Sequence, residues 1–156
     1  MSACGSMNEV SFCFHPFRGG EAVTEYVHSF RRPDLPPIQA GAPLDLYPSR
    51  PESALFPRQL TWDDPWPYGD RAGVYLVYDE ALNLLYIGKA SMNRRLGQRL
   101  YEYFGGGEVC HPRLDWLRPA RYIINVAMPA ELPFEAPALE EFLIRRLQPK
   151  LNGVGL

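Results

Sequence analysis

The sequence lacks several features that would define common classes of protein. No apolar run is long enough to cross a bilayer, and the N-terminus has no basic-then-apolar signal pattern. We therefore expect a cytoplasmic protein that does not insert into membranes. The three cysteines form no Cys-x-x-Cys pair and have no zinc-ligand spacing to histidine, which argues against a zinc site. A net charge of −2 argues mildly against a broad nucleic-acid-binding surface.

What is present favours one domain with an appendage. The 156 residues are 46% hydrophobic, which is enough for a core of ordinary size. Proline is dense between Pro33 and Pro67, where it disfavours regular helices and central strands. We expect this segment to be an extended arm that packs through its aromatic residues. The predicted division is an acidic, proline-rich extension at 1–68 and a folded domain at 69–156.

Hydrophobic periodicity predicts the regular elements of the chain. Strands are expected at 73–79, 84–90 and 121–128, with a turn at 80–83. Helices are expected at 94–104 and 137–148, the first ended by three glycines and the second by proline. In the extension, 9–15 is compatible with a strand and 21–31 with a short helix. The order of elements predicts an α+β fold.

Two tyrosines occupy the predicted hairpin at GVYLVYDEALNLLYIGKA, residues 73–90. Tyr75 and Tyr86 share a sheet face if the numbers of paired residues sum to an odd value, as turns of four or six residues allow. Gly73 and Gly88 flank them, and glycine lets another group approach the backbone. The pair is therefore either ordinary core packing or two hydroxyls that meet at a site.

The two predicted helices carry further candidate residues. Arg99 and Tyr103 lie four residues apart and share a helix face, which is either a site or a solvated basic face. Glu140 points with the apolar side of its helix, whereas Glu141 lies in a row with Arg145. A carboxylate aimed at a core must be paired, protonated or bound to a cation. Glu140 is the candidate ligand, with a buried ion pair to an arginine as its alternative.

Positive charge is concentrated between residues 89 and 121, where seven basic residues face three acidic ones. A local positive field can bind phosphate even on an acidic chain. Of these basic residues, Arg113, Arg118 and Arg121 either track a DNA backbone or form a solvated rim. The full set is Lys89, Arg94, Arg95, Arg99, Arg113, Arg118 and Arg121.

These motifs together resemble the GIY-YIG nuclease family across residues 71–153. The match consists of GVY at 73–75, YIG at 86–88, RLYEYF at 99–104 and E-x3-I-x4-P-x2-N from Glu140 to Asn152. The resemblance implies a small three-stranded antiparallel sheet flanked by helices. It also implies metal-dependent cleavage of a DNA phosphodiester. Tyr103 stands where many members have histidine, and the branch that makes incisions in nucleotide excision repair also has tyrosine at this position.

The resemblance also implies a role for each matched residue. Glu140 would hold Mg²⁺ or Mn²⁺, and Arg99 would clamp the phosphate, although the longer spacing after Gly88 leaves Arg95 as its alternative. Tyr75 would act as general base or relay with help from Lys89, and Tyr86 would position water or phosphate. Tyr103 would assist proton transfer and Asn152 would hold the metal-site helix. Lys89, Arg95, Arg99, Arg113 and Arg118 would contact DNA.

A metal-dependent DNA endonuclease is therefore the predicted function. The alternative is a binding module for nucleic acid or a protein partner that keeps the fold without turnover. The sequence leaves open the biological role, the DNA preference, the role of residues 1–68, and whether the protein is a monomer or a homodimer.

Overall fold

The computed structural model describes residues 10–48, 60–62, 64–107 and 109–152. Three long strands form the centre: β4 (Gly73–Asp79), β5 (Leu84–Ala90) and β6 (Ala120–Ala127). Strand β4 lies between the other two and is antiparallel to both. All three are rich in β-branched and aromatic residues and almost continuously buried, because helices or loops cover both faces. The strands predicted at these positions are confirmed.

Three helices pack around this sheet: α1 (Gly20–Phe30), α2 (Leu96–Phe104) and α3 (Ala136–Leu147). All three were predicted, with ends that differ by one or two residues. Helix α2 ends where Gly105 adopts a φ of 76°, a conformation that favours glycine. Helix α3 begins with Pro137 in its first turn, where the missing N–H costs no hydrogen bond. The predicted α+β class is confirmed.

The predicted three-stranded antiparallel sheet is wrong. Within the described residues, the sheet has six strands and is mixed, because the proline-rich segment adds three two-residue strands. These are β1 (Gln39–Ala40), β2 (Leu44–Asp45) and β3 (Leu60–Thr61). Strands β1 and β2 pair with β6, and β3 pairs in parallel with β2. Such short strands fit between prolines because each needs only a few backbone groups free to hydrogen-bond.

The strand predicted at 9–15 is also wrong over its described part, 10–15. Phe12 N donates to Thr24 Oγ1 of α1 at 2.8 Å, so at this point the segment bonds to a helix side chain. Phe14 and Phe17 are nevertheless buried against the sheet. Residues before 69 therefore contribute to the core, while the boundary predicted at residue 68 stays a prediction.

Two apolar clusters cover the two faces of the sheet. Helices α1 and α3 pack on the face that carries Val74, Leu76 and Tyr78. Helix α2, together with Trp62 and Trp66 of the proline-rich segment, packs on the face that carries Tyr75 and Val77. The described strands of that segment lie beyond β6, whereas β5 ends the sheet on the opposite side. Groups from both faces can therefore meet around β5.

Across the described ranges, no helix combines the length and the apolar character that a bilayer crossing requires.

Candidate active site

The hairpin places Tyr75 and Tyr86 on one face of the sheet. Tyr75 pairs with Gly88 and Tyr86 pairs with Val77, so the paired numbers sum to an odd value, as one predicted alternative requires. The two phenols are diagonal neighbours with ring centroids 6.1 Å apart. Near the turn the register shifts between Val77 and Tyr78, which leaves the pairing around the tyrosines intact.

The two flanking glycines make room for different groups. A Cβ on Gly88 would lie 2.2 Å from the Tyr75 hydroxyl oxygen, so the phenol crosses β5 directly over this residue. A Cβ on Gly73 would lie 2.2 Å from the carbonyl oxygen of Val126 and 2.9 Å from Leu96 Cδ1. Gly88 thus accommodates a site side chain, and Gly73 accommodates the packing of α2 on the sheet.

Helix α2 brings Arg99 and Tyr103 to the same place. The Tyr103 ring packs edge-on against Tyr75 with centroids 6.0 Å apart. The guanidinium carbon of Arg99 lies 5.0 Å from the Tyr103 ring centre, within the range of a cation–π contact. The helix is anchored where Leu96 N and Gly97 N, which have no partner within the helix, donate to the carbonyls of Arg71 and Gly69.

The guanidinium of Arg99 is only partly satisfied. Its Nη1 donates to Glu102 Oε2 at 3.2 Å, and Glu102 also accepts from Arg94. Within the described residues, Nε of Arg99 is a buried donor that makes no hydrogen bond of good geometry, although the Tyr75 hydroxyl also interacts with this guanidinium. Buried donors are rarely left unpaired, so this one indicates a missing acceptor. Arg95, the predicted alternative, precedes the helix and is exposed.

Glu140 reaches the site from α3, on the other side of β5. Its side chain is 21% exposed, and Oε1 lies 3.9 Å from Nζ of Lys89. Glu141 points to solvent and pairs with Arg145 at 3.1 Å. The predicted distinction between the two glutamates matches their burial, and the partner of Glu140 is a lysine where an arginine was the predicted alternative.

Electrostatic coupling shows that these groups share one environment. Burial raises the pKa of Glu140, and the charges of Lys89 and Arg99 oppose that rise. Burial raises the pKa of Tyr86 to about 12, helped by the neighbouring Tyr103 and Glu140. Burial and a hydrogen bond with Tyr103 raise the pKa of Tyr75 well above its ordinary value, and only Arg99 lowers it. Both phenols are therefore neutral at physiological pH and can donate hydrogen bonds.

Asn152 connects the end of α3 to the edge of β5. Its Oδ1 accepts from Ile87 N at 2.7 Å, and its Nδ2 donates to Ile87 O at 2.9 Å. Leu151 N donates to Leu85 O at 2.8 Å, so the backbone after α3 also follows the strand. These bonds attach the backbone after α3 to the part of β5 that directly precedes Gly88 and Lys89.

The basic residues that follow α2 in the chain differ in their burial and in their partners. Arg113 is exposed, and its guanidinium carbon lies 5.3 Å from the Tyr101 ring centre. Arg118 is also exposed and pairs with Asp115 at 3.0 Å. Arg121, which the sequence suggested for a DNA-tracking surface or a solvated rim, fits neither. It is fully buried and binds Asp45 at 2.8 Å and Glu80 at 2.7 Å.

Trp116 belongs to the same cluster and was missed by sequence reasoning. Its ring lies 4.8 Å from that of Tyr86 and 6.0 Å from that of Tyr103. The only indication in the sequence was an aromatic residue between two arginines, Arg113 and Arg118, after a basic helix. That pattern does not reveal which tyrosines it would meet.

The donor set for a metal consists of one carboxylate. Within the part of the chain that the structure describes, no group of three or more His, Cys, Asp or Glu residues could hold a metal. A single half-buried glutamate fits a hard cation such as Mg²⁺, which completes its shell with waters and phosphate oxygens. It does not fit zinc, which prefers several protein ligands.

The chain was also compared with known proteins. A family model described as a UvrC-like GIY-YIG domain matches residues 71–153, which is more than half of the chain. No curated protein matches at a significant level. The matched range contains every site residue described above, from Gly73 to Asn152. The chain therefore belongs to the GIY-YIG nuclease family, and residues 71–153 form its UvrC-like GIY-YIG domain.

Proposed function

We propose that this protein is a metal-dependent DNA endonuclease that hydrolyses a phosphodiester bond at the cluster around β5. The observation that carries the proposal is the unpaired, buried Nε of Arg99 beside three tyrosines and near Glu140. A phosphate oxygen is the acceptor that a guanidinium matches best, because the fork of donors binds two oxygens at once. The cluster thus offers a phosphate clamp and a cation ligand in one place.

Glu140 holds the metal in this proposal. Its raised pKa, caused first by burial, favours binding of a cation that restores the charged form. Glu140 would hold Mg²⁺ or Mn²⁺, and the chemistry supplied there would be Lewis-acid stabilisation of the 3′ leaving oxygen. Lys89 compensates the carboxylate charge when no cation is present, at the 3.9 Å separation observed.

Arg99 binds the scissile phosphate and stabilises the charge that develops on it. A preorganised donor in a site of low dielectric contributes more than the same donor in water. Glu102 and the ring of Tyr103 hold the guanidinium from two sides, which limits its rotation. Arg95 is exposed and can at most contact the DNA backbone farther out, as can Arg113 and Arg118.

The tyrosines act as donors and relays. Because burial keeps Tyr75 protonated, we assign it the relay role over that of general base. Tyr86 positions water or a phosphate oxygen, and Tyr103 passes a proton through its bond with Tyr75. Asn152 keeps the edge of β5 and the end of α3 together.

Nicking of supercoiled plasmid tests the proposal. Wild-type protein should nick the plasmid in the presence of Mg²⁺ or Mn²⁺, and EDTA should stop the reaction. Glu140→Gln should abolish nicking while the protein remains folded. Glu141→Gln is the matched control and should keep activity within about twofold, since an exposed ion pair contributes little. EDTA-resistant nicking, or full activity of Glu140→Gln, would refute the proposal.

DNA binding without nicking by the wild type would favour a binding module. Neither the family match nor the described residues support a homodimer, so the assay treats one chain as the active unit.

A further inference from the structure

Trp116 lies at the mouth of the site with part of its ring open to solvent. It belongs to a 3₁₀ turn, Asp115–Leu117, in which Leu117 is buried and Trp116 remains 36% exposed. One side of the indole packs against Tyr86 at 4.8 Å and an interplanar angle of 60°. The exposed part of the indole therefore borders the site beside Tyr86.

The other described tryptophans are used differently. Trp62 and Trp66 pack against each other at 5.6 Å, and Trp66 lies 6.3 Å from Phe104. The indole N–H of Trp62 donates to the carbonyl of Gly107 at 3.0 Å. These two rings attach the proline-rich segment to α2, a structural task that Trp116 does not share.

The surroundings of Trp116 suit nucleic acid. Arg113 and Arg118 are exposed on either side of it in the sequence, and Leu114 is 41% exposed. The unpaired Nε of Arg99 marks where a phosphate can bind beyond the tyrosines. Aromatic rings that adjoin phosphate-binding cations form stacking platforms for single-stranded nucleic acids, because every base has a π-face.

We propose that Trp116 stacks on a base next to the cleaved phosphate. This inference rests on the proposed function and adds a base-binding residue to the same site. A base within an intact duplex is covered on both faces by its neighbours and offers no free face to an indole. The contact therefore requires a base that is unstacked beside the cut.

Intrinsic fluorescence tests the contact without cleavage. Full-length protein is titrated with oligothymidine in EDTA, and the same titration is made with Trp116→Phe and with Trp62→Phe/Trp66→Phe. Wild type and the double variant should be quenched, while Trp116→Phe should not. Trp116→Ala should weaken binding about 5- to 150-fold, the range for loss of one stacked base. Equal quenching in Trp116→Phe would overturn the proposal.

An abasic substrate separates stacking from mere support of Tyr86. The base on either side of the mapped cut is removed in a bubble oligonucleotide, and KM and kcat are compared. Wild type should lose affinity for the abasic substrate, and Trp116→Ala should respond equally to both substrates. Phe30→Ala is the control, because Phe30 is 67% exposed on α1, on the other face of the sheet. If Trp116→Ala keeps full sensitivity to the missing base, stacking is refuted. Absence of wild-type nicking would refute the nuclease assignment and leave the fluorescence result standing.

Discussion

The phenol of Tyr75 crosses strand β5 directly over Gly88, its partner in the sheet. Tyr75 is 1% exposed, so its ring has little freedom to move away. The missing side chain at position 88 thus lets a residue from the middle strand place its hydroxyl at the sheet edge, where Arg99 influences it.

Gly88→Ala should therefore abolish nicking while the protein remains folded. The new Cβ would lie 2.2 Å from the hydroxyl oxygen and 2.3 Å from ring carbon Cζ of Tyr75, so the ring must move. Plasmid nicking and circular dichroism are the measurements. Gly73→Ala is the comparison: its Cβ meets the backbone of Val126, which cannot move away, so it should lose more stability. Wild-type activity in Gly88→Ala would contradict the placement of Tyr75.

Arg99→Ala and Arg95→Ala form a second matched pair. We expect Arg99→Ala to reduce kcat about 10²- to 10³-fold, the usual cost of removing one preorganised donor to a developing charge. Arg95 is exposed beyond the start of α2, so its removal should change only DNA affinity, by a few-fold, and the effect should fade at high salt. Single-turnover cleavage at two salt concentrations measures both effects. If Arg95→Ala reduces kcat more than Arg99→Ala does, Arg95 is the residue that binds the scissile phosphate.

Stability should fall at alkaline pH. Burial raises the pKa of Tyr86 and of Tyr26 to about 12, and those of Tyr75 and Tyr78 also rise. An unfolded tyrosine titrates near 10, so the unfolded chain releases these protons first. The stabilisation is present in full below pH 10 and is lost as pH rises through about 12.

Urea unfolding between pH 8 and pH 11.5, followed by circular dichroism, measures this loss. Each tyrosine contributes a slope of at most about 1.4 kcal/mol per pH unit. Tyr86→Phe removes one of these groups and should make the slope shallower. A stability that stays constant up to pH 11.5 would contradict the raised pKa values.

The buried ion pair of Arg121 with Asp45 should be essential for stability. Both side chains are fully buried, and the pair joins β6 to β2 across 76 residues of sequence. Arg121→Met leaves the carboxylate of Asp45 buried without its partner and should cost about 3–5 kcal/mol of unfolding free energy. Arg118→Met removes an exposed arginine and should cost less than about 0.5 kcal/mol. Equal unfolding curves for the two variants would refute the structural role of Arg121.

Local pattern was enough to predict the long elements of the domain. Alternation identified β4 and β5, helical spacing identified α2 and α3, and glycine or proline marked where each helix ends. The pairing rule for a hairpin allowed Tyr75 and Tyr86 to share a face of the sheet. Helical spacing placed Glu140 on the apolar side of α3 and Glu141 on the solvent side. Each of these inferences depends only on neighbours within a few residues along the chain.

Long-range pairing decided what the sequence left open or hid. Strands β1 and β2 form because β6 offers free backbone groups to a segment in which proline density argued against strands, and β3 then pairs with β2. Arg121 looked like surface charge, but it is buried and pairs with the buried Asp45 and with the partly exposed Glu80. Trp116 joined the tyrosines only because the chain after α2 returns to β5. Local sequence pattern by itself determined the three long strands, the helices and the faces that their residues share. Tertiary structure decided which charges are buried, which donor is left for a ligand and which ring borders the site, because burial and pairing depend on residues distant in sequence.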